Sequence, residues 1–324
     1  MMPGLRLLAA ASAAAVVSAA AISGAAAQVV AMGASPQGSW TYSAAAAVAK
    51  VAGDNGIQMR VQPFGGTTTY VPLINAGELD FGLSGHLEVM QATRGIDDFE
   101  GKPNPALRVV SVLTPIHVAV FVRADSGIRT VKDLKGKRVP GDYGAQKIIQ
   151  VLLNGVLANG GLTPADVTWV PVPNVNRGAD DFAAGRADAF YFALGSGKVQ
   201  ETNAKSPIRV LPLDTSPAAM AALREKVPVA YSARLEPSPA RVGVAAPTDI
   251  MAYDYLSITH AKASDEAVYK LTKAMHGNRE GLMQAFPPLA GFAPDKMARD
   301  LGGLVYHPAA VKFYTEQGLW PPKS

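Results

Sequence analysis

A short pattern occurs once in each half of the chain, and it constrains the fold more than any other feature of the sequence. The two copies are Asn75-Ala-Gly-Glu-Leu-Asp80-Phe-Gly-Leu-Ser84-Gly and Ala183-Ala-Gly-Arg-Ala-Asp188-Ala-Phe-Tyr-Phe-Ala. Each copy has a glycine that can end a helix in a left-handed conformation, an acidic residue, and an apolar run that suits a buried parallel strand. The repeat therefore predicts two similar α/β lobes with a cleft between them, which is an arrangement suited to holding a small molecule.

The composition agrees with a folded protein that does not bind nucleic acid. A length of 324 residues allows one large domain or two ordinary ones. Hydrophobic residues make up 48% of the chain and charged residues 17%, which favours a sizeable core over disorder. The net charge is only +4, and the densest basic run, residues 132–138, has no aromatic residue within it. Nucleic-acid binding would need a broader basic face.

The first 27 residues indicate export. Arg6 is their only charged residue, residues 7–22 are apolar and rich in alanine, and Ala25-Ala-Ala27 suits cleavage before Gln28. This is the pattern of a secretory signal peptide, and its apolar run is shorter than the roughly 20 residues of a membrane-spanning helix. The chain has no cysteine, which excludes disulfides, thiolate chemistry and a lipoprotein anchor. We therefore expect a periplasmic protein that is not a lipoprotein.

Strand-like and helix-like segments alternate along the rest of the chain, which is typical of doubly wound α/β sheets. Residues 107–113 and 117–123 have the pattern of two strands, and Pro115 is expected to break the chain between them.

The domain organisation follows from the same alternation. We expect a discontinuous first lobe of residues 28–116 and 250–324, and a second lobe of residues 117–249. The segments that cross between the lobes, near residues 114–117 and 247–251, are expected to act as a hinge.

The candidate ligand contacts lie in the loops that follow the strands, because ligands of open α/β sheets bind beyond the carboxyl ends of strands. Several of these loops open a helix, where free backbone amides and the helix dipole suit a carboxylate or a phosphate. The expected contacts are Gly38, Ser39, Trp40, Tyr42, Gly66, Thr67, Thr68, Ser84, Gly85, His86, Tyr143, Gly144, Ala145, Gln146, Phe192, Leu194 and Gly195.

Several of these positions also have a purely structural explanation. Ser39 suits a plain helix N-cap, the hydroxyls that follow Gly66 suit another, and a single histidine such as His86 is more often structural than functional. Lys147, one turn into a helix that should face the cleft, is more simply a solvated lysine than a counter-charge for a ligand.

Motifs for catalysis and for metals are absent from the sequence. Gly195-Ser-Gly-Lys198 is followed by Val199, so it lacks the hydroxyl and the spacing of a phosphate-binding P-loop. Ser84 follows Gly82 at the right spacing, but His86 stands where a nucleophile elbow has its second glycine. The five histidines are scattered without ligand spacing. We therefore expect no enzyme, no catalytic residue, no metal and no cofactor, although an exported enzyme on the same fold is left open.

Three stretches resemble the solute-binding proteins of tripartite ATP-independent periplasmic (TRAP) transporters, in the branch called TAXI. They are Phe64-Gly-Gly-Thr-Thr-Thr-Tyr to Asp80-Phe-Gly, Phe99-Glu-Gly-Lys-Pro to Gly136-Lys-Arg-Val, and Tyr306-His-Pro-Ala-Ala-Val-Lys-Phe-Tyr. The resemblance implies a type II periplasmic binding protein fold, built of two α/β lobes that close on a ligand. It also implies delivery of that ligand to TRAP membrane subunits for uptake driven by an ion gradient.

The ligand loops depart from the pattern of that branch. Asp142-Tyr143-Gly144 stands where Gly-Ser-Gly-Thr is usual, and Ser84-Gly85-His86 stands where Gln-Ser-Asp is usual. With Trp40, Tyr42, Tyr143 and Phe192 the cleft is expected to be aromatic, so we expect a small organic anion, a carboxylate with an aromatic or apolar body. The alternatives are the receptor of an ABC importer for a sulfonate or nitrate-type ligand, and a ligand sensor. A monomer is expected.

Overall fold

The computed structural model describes residues 29–322. The signal peptide expected in residues 1–27 lies outside this range. Within it, no helix combines the length and the apolar character that crossing a bilayer requires.

Strands and helices alternate as the sequence predicts. The strands are β1 (Val30–Ala34), β2 (Met59–Pro63), β3 (Phe81–Gly85), β4 (Leu107–Arg123), β5 (Arg138–Gly141), β6 (Thr168–Pro171), β7 (Ala189–Ala193), β8 (Ile208–Val210), β9 (Tyr231–Leu235) and β10 (Thr248–His260). The helices are α1 (Trp40–Asp54), α2 (Thr67–Ala76), α3 (His86–Arg94), α4 (Ile148–Asn159), α5 (Val175–Ala183), α6 (Gly197–Lys205), α7 (Pro217–Lys226), α8 (Asp265–Gly277), α9 (Arg279–Ala285) and α10 (Pro308–Glu316).

Two long strands run through the middle of the larger sheet. The strand order is β2-β1-β3-β10-β4-β7, with β8 paired to β4 and β9 paired to β10, while β5 and β6 form a separate parallel pair. β10 pairs with β3 through Tyr255–Thr259 and with β9 through Thr248–Ala252. β4 likewise pairs with β10 along most of its length and with β7 through Val118–Val122. These two strands therefore connect the two α/β halves of the molecule.

The strand expected to break at Pro115 is continuous, so that expectation was wrong. β4 runs from Leu107 to Arg123, and Pro115 lies opposite Asp254 of β10. The ladder between β4 and β10 shifts register next to this point, between Tyr255 and Leu256, and β7 begins to pair only at Val118. Proline lacks an amide hydrogen and is tolerated where pairing is irregular. The division of the chain into lobes at residues 116 and 250 stays a prediction.

The repeated pattern has the same structure in both halves. Gly77 and Gly185 follow their helices with φ of 80° and 74°, as the helix-ending role requires. Asp80 then accepts a hydrogen bond from the backbone amide of Ala31 at 2.7 Å, and Asp188 accepts one from the amide of Arg138 at 2.8 Å. Asp80 thus holds β1 beside β3, and Asp188 holds β5 beside β7.

Replacing Asp80 with alanine tests this role. The amide of Ala31 would lose its acceptor in a partly buried position, so we expect the free energy of unfolding to fall by about 1–2 kcal/mol. Urea denaturation measures the change. Glu78→Ala, at an exposed position two residues earlier, is the matched control and is expected to stay within about 0.5 kcal/mol. Equal effects of the two substitutions would contradict the proposed role of Asp80.

Candidate functional site

Loops from the two halves of the molecule touch directly. A β-carbon built on Gly66 would lie 2.0 Å from the carbonyl oxygen of Ala145, so the backbones are in contact there. The Thr68 hydroxyl also donates to that carbonyl, at 3.4 Å. Elsewhere Asn176 donates to the carbonyl of Gln37 at 2.8 Å. The cleft between the halves is therefore closed.

A small cavity lies behind these contacts. Its volume is about 50 Å³, enough for a few water molecules, since one needs about 10–15 Å³. It is lined by Ser35, Ser39, Trp40, Thr41, Thr67, Gly85, Leu87, Glu88, Ile116, Val118, Gln146, Ile148, Ile149, Leu152, Val175, Tyr191, Phe192, Ala193, Tyr253 and Tyr255. These residues come from both halves and from both connecting strands, so opening the halves would expose the cavity.

The start of α1 forms one wall of the cavity. Trp40 is 3% exposed and packs edge-on against Tyr255, with ring centroids 5.3 Å apart, and against Phe286. The hydroxyls of Thr41 and Tyr255 are hydrogen-bonded at 2.8 Å. The Ser39 hydroxyl accepts from the amide of Tyr42 at 3.2 Å, which is the N-cap that the sequence left open as an alternative.

Glu88 is the ionisable carboxyl group of the cavity, and sequence reasoning missed it. The residue is 3% exposed and lies in the first turn of α3. The Thr67 hydroxyl donates to its Oε1, and the Ser84 hydroxyl donates to its Oε2 at 2.9 Å. Burial raises the pKa of Glu88 to about 7, although these two hydrogen bonds act in the opposite direction. The sequence did contain a signal for this role. Glu88 is the third residue of a helix that directly follows a buried strand, which is where ligand contacts were expected.

The structure brings only part of the expected contact set to the cavity. Of the expected residues, those that line it are Ser39, Trp40, Thr67, Gly85, Gln146 and Phe192. Those that lie outside its lining are Gly38, Tyr42, Gly66, Thr68, Ser84, His86, Tyr143, Gly144, Ala145, Leu194 and Gly195.

Several residues of the second group have structural partners of their own. His86 is hydrogen-bonded through Nε2 to the carbonyl of Leu301 at 3.2 Å, and burial lowers its pKa. Ser84 contributes indirectly through Glu88. A β-carbon on Gly195, whose φ is 77°, would lie 2.4 Å from Pro288, so this glycine allows the segment Pro287–Gly291 to approach the cleft closely.

The cavity has polar groups but no basic side chain. No arginine, lysine or histidine is among the lining residues found within residues 29–322. The Tyr191 hydroxyl is buried without a hydrogen-bond partner in this part of the chain. The described residues also contain no cluster of acidic or histidine side chains that could hold a metal ion.

Comparison with models of known protein families identifies the family of the chain. Residues 32–318 match the model of the NMT1-like family, which is most of the chain. The chain belongs to the NMT1-like family. The assignment to the TAXI branch of TRAP receptors, made from three sequence stretches, is corrected by this match.

Solved structures similar to this NMT1-like protein share its fold. The alkanesulfonate-binding protein SsuA from Xanthomonas axonopodis pv. citri, bound to MOPS, has a TM-score of 0.50 and 18% identity, over 90% of this chain and 94% of that one. A structure described as a periplasmic transporter has a TM-score of 0.57 and 14% identity, over 79% and 85% of the two chains. An ancestral arginine-binding protein bound to arginine has a TM-score of 0.50 and 13% identity, over 81% and 98%.

These similarities confirm the fold expected from the sequence. The NMT1-like chain has the type II periplasmic binding protein fold, with two α/β lobes, two connecting strands and a cleft between the lobes. The positions of Tyr253 and Tyr255 on one connecting strand, and of Ile116 and Val118 on the other, place the cavity beside the hinge.

Proposed function

We propose that this protein is the solute receptor of an ABC importer, and that it captures a small organic molecule in the periplasm. The observation that carries the proposal is the closed cleft, in which loops of both halves meet over a cavity lined by aromatic side chains. Membership of the NMT1-like family and the shared fold support it. Delivery to an ABC permease replaces the TRAP partner expected from the sequence.

The proposed mechanism is closure about β4 and β10. In an open form the contacts of Gly66 and Thr68 with Ala145 are broken, and the ligand reaches Trp40 and Tyr255 from solvent. A ligand that touches both halves stabilises the closed form, so binding shifts the population toward it. The permease is then expected to recognise the closed form.

The charge of the ligand is not set by the fold. One similar structure holds MOPS in an alkanesulfonate-binding protein, and another holds arginine, so the same scaffold accepts ligands of opposite charge. A sulfonate is one candidate for this chain. The carboxylate predicted from the helix N-termini is another, and both would have to bind beside Glu88.

A ligand screen followed by an uptake assay tests the proposed function. Sulfonates, carboxylates and amines are screened by thermal shift, since a ligand that binds only the folded state raises the melting temperature. A hit that is recovered unchanged indicates a receptor, whereas conversion of the hit would indicate an enzyme. Uptake of the labelled hit should need this protein and cellular ATP, and it should survive collapse of the ion gradients. Loss of uptake on collapse of the gradients alone would refute the ABC assignment.

A further inference from the structure

The N-termini of three helices converge on the cavity. The N-cap and first turn of α1 contribute Ser39, Trp40 and Thr41 to its lining, and the first turns of α2 and α3 contribute Thr67, Leu87 and Glu88. Helix N-termini favour a negative charge because of their dipoles and their free amides. In this protein a negative group is already there, because Glu88 belongs to the chain and lies inside the first turn of α3.

The hydroxyl donors beside this position are directed at Glu88. Thr67 donates to one of its carboxyl oxygens and Ser84 donates to the other. A ligand carboxylate or sulfonate placed here would therefore find these two donors engaged and would face another acid. The ionisable side chain that the cavity offers to a ligand is thus a hydrogen-bond acceptor when it is charged.

Among residues 29–322, no cationic side chain pairs with this carboxyl group. No basic residue lines the described cavity, and the charged group with a resolved effect on Glu88 is Asp98, which raises its pKa further. Burial raises the pKa values of Tyr70, Tyr253 and Tyr255, and the nearby charge of Glu88 raises them further. A buried carboxylate is strongly disfavoured unless a cation pairs with it.

Aromatic side chains surround the remaining space. Trp40, Tyr191, Phe192, Tyr253 and Tyr255 line the cavity together with Glu88. Aromatic rings attract cations through their quadrupoles, and more strongly when water is excluded. Tyr191, which is 2% exposed, also has a buried hydroxyl without a partner among the described residues.

We propose that the ligand is a small organic amine, whose ammonium group pairs with Glu88 and whose apolar body lies among the aromatic side chains of the cavity. This inference rests on the proposed receptor function and specifies the class of its ligand. The ammonium group supplies the cation that is missing from the described lining of the cavity, and it donates hydrogen bonds to the carboxylate oxygens of Glu88.

Matched probes of opposite charge test the proposal. Butylammonium, butanoate and butanesulfonate, whose bodies are small enough for the cavity, are titrated into the exported protein by calorimetry after any co-purified ligand has been removed. We expect the ammonium probe to bind and the anions of the same body not to bind. Affinity for the ammonium probe should rise between about pH 6 and pH 8, as Glu88 ionises. The affinity of an anion that binds beside Glu88 would instead fall over this range.

Two glutamate variants separate recognition from stability. Glu88→Gln keeps the volume and removes the charge, so it should weaken ammonium binding on the order of a hundredfold and abolish the pH dependence of binding. Glu78→Gln, at an exposed position, should change neither the affinity for the ammonium probe nor its pH dependence. Circular dichroism establishes that each variant is folded.

The outcomes distinguish this inference from the proposed function. Binding of an anion but not of its matched ammonium probe would overturn the ammonium proposal and still support a receptor. Failure of the ammonium probe to bind, or ammonium binding that Glu88→Gln does not weaken, would also overturn it. The importer assignment is decided separately, by the ATP dependence of uptake.

Discussion

Replacing Gly66 with alanine is expected to prevent closure of the cleft. The added β-carbon would lie 2.0 Å from the carbonyl oxygen of Ala145 and 2.9 Å from its carbon, and backbone atoms cannot move aside as a flexible side chain can. The φ of Gly66 is 178°, an extended conformation that alanine adopts freely. The substitution should therefore leave each half folded and act only where the two halves meet.

The size of this effect follows from the cost of inserting a methyl group into a packed contact. That cost is about 1–3 kcal/mol, which corresponds to about a 5- to 150-fold loss of ligand affinity if only the closed form binds tightly. Spin labels can report the closure directly because the chain has no cysteine. Labels at Lys50→Cys and Lys135→Cys, whose side chains are 62% and 73% exposed, should lose the distance population of the closed structure.

The matched control for Gly66 is Gly144, in the loop that it meets. A β-carbon on Gly144 has no neighbour closer than 4.0 Å, so Gly144→Ala should close and bind as the unmodified protein does. A closed population that persists in Gly66→Ala would contradict the assignment of this contact as the point of closure. Loss of closure in both variants would show that the loop tolerates no substitution.

The fold could be predicted from the sequence because its signals are local. The glycine, aspartate and apolar run of each repeat determine a helix end, a backbone hydrogen bond and a strand, and the structure has all three around Asp80 and Asp188. The continuity of β4 through Pro115 could not be predicted in the same way. It depends on the antiparallel partner β10, which is far away in sequence.

The site was predicted at the level of loops, whereas the chemistry of its side chains was not. Thr67 and Ser84 were expected to contact the ligand, and in the structure both donate to Glu88. This pairing joins α2, β3 and α3, so it exists only after the chain has folded. An aromatic cleft was expected from Trp40, Tyr42, Tyr143 and Phe192. Of these, Trp40 and Phe192 line the cavity, whereas Tyr42 and Tyr143 do not.

The mistaken TAXI assignment has a related cause. The stretches that carried it contain a glycine loop before α2, the glycine and aspartate of the first repeat, and the His307-Pro308 start of α10. Each of these features has a structural role here: Gly66 permits a close contact, Asp80 accepts a backbone amide, and His307 caps α10 by accepting from the amide of Ala309. Motifs that build a fold do not identify the transporter that uses it.

Glu88 is expected to make the unliganded protein less stable as the pH rises. Its pKa is raised from an ordinary 4.5 to about 7 in the folded state, so the folded protein holds this proton more tightly than the unfolded chain does. Below about pH 4.5 the group is protonated in both states and imposes no penalty. Between about pH 4.5 and pH 7 the unfolded chain releases the proton first, and the contribution of Glu88 to stability falls by about 3 kcal/mol.

The comparison with Glu88→Gln isolates this contribution from all other titrations. The free energy of unfolding of each protein is measured by urea denaturation after removal of any ligand. Between about pH 4.5 and pH 8, the variant should become more stable relative to the unmodified protein by about 3 kcal/mol. A difference that does not change with pH would contradict the raised pKa. Because an ammonium ligand favours the ionised carboxylate, saturation with the butylammonium probe should reduce this pH-dependent change, and a bound anion should enlarge it. The same residue therefore links the pH dependence of stability to the charge of the ligand.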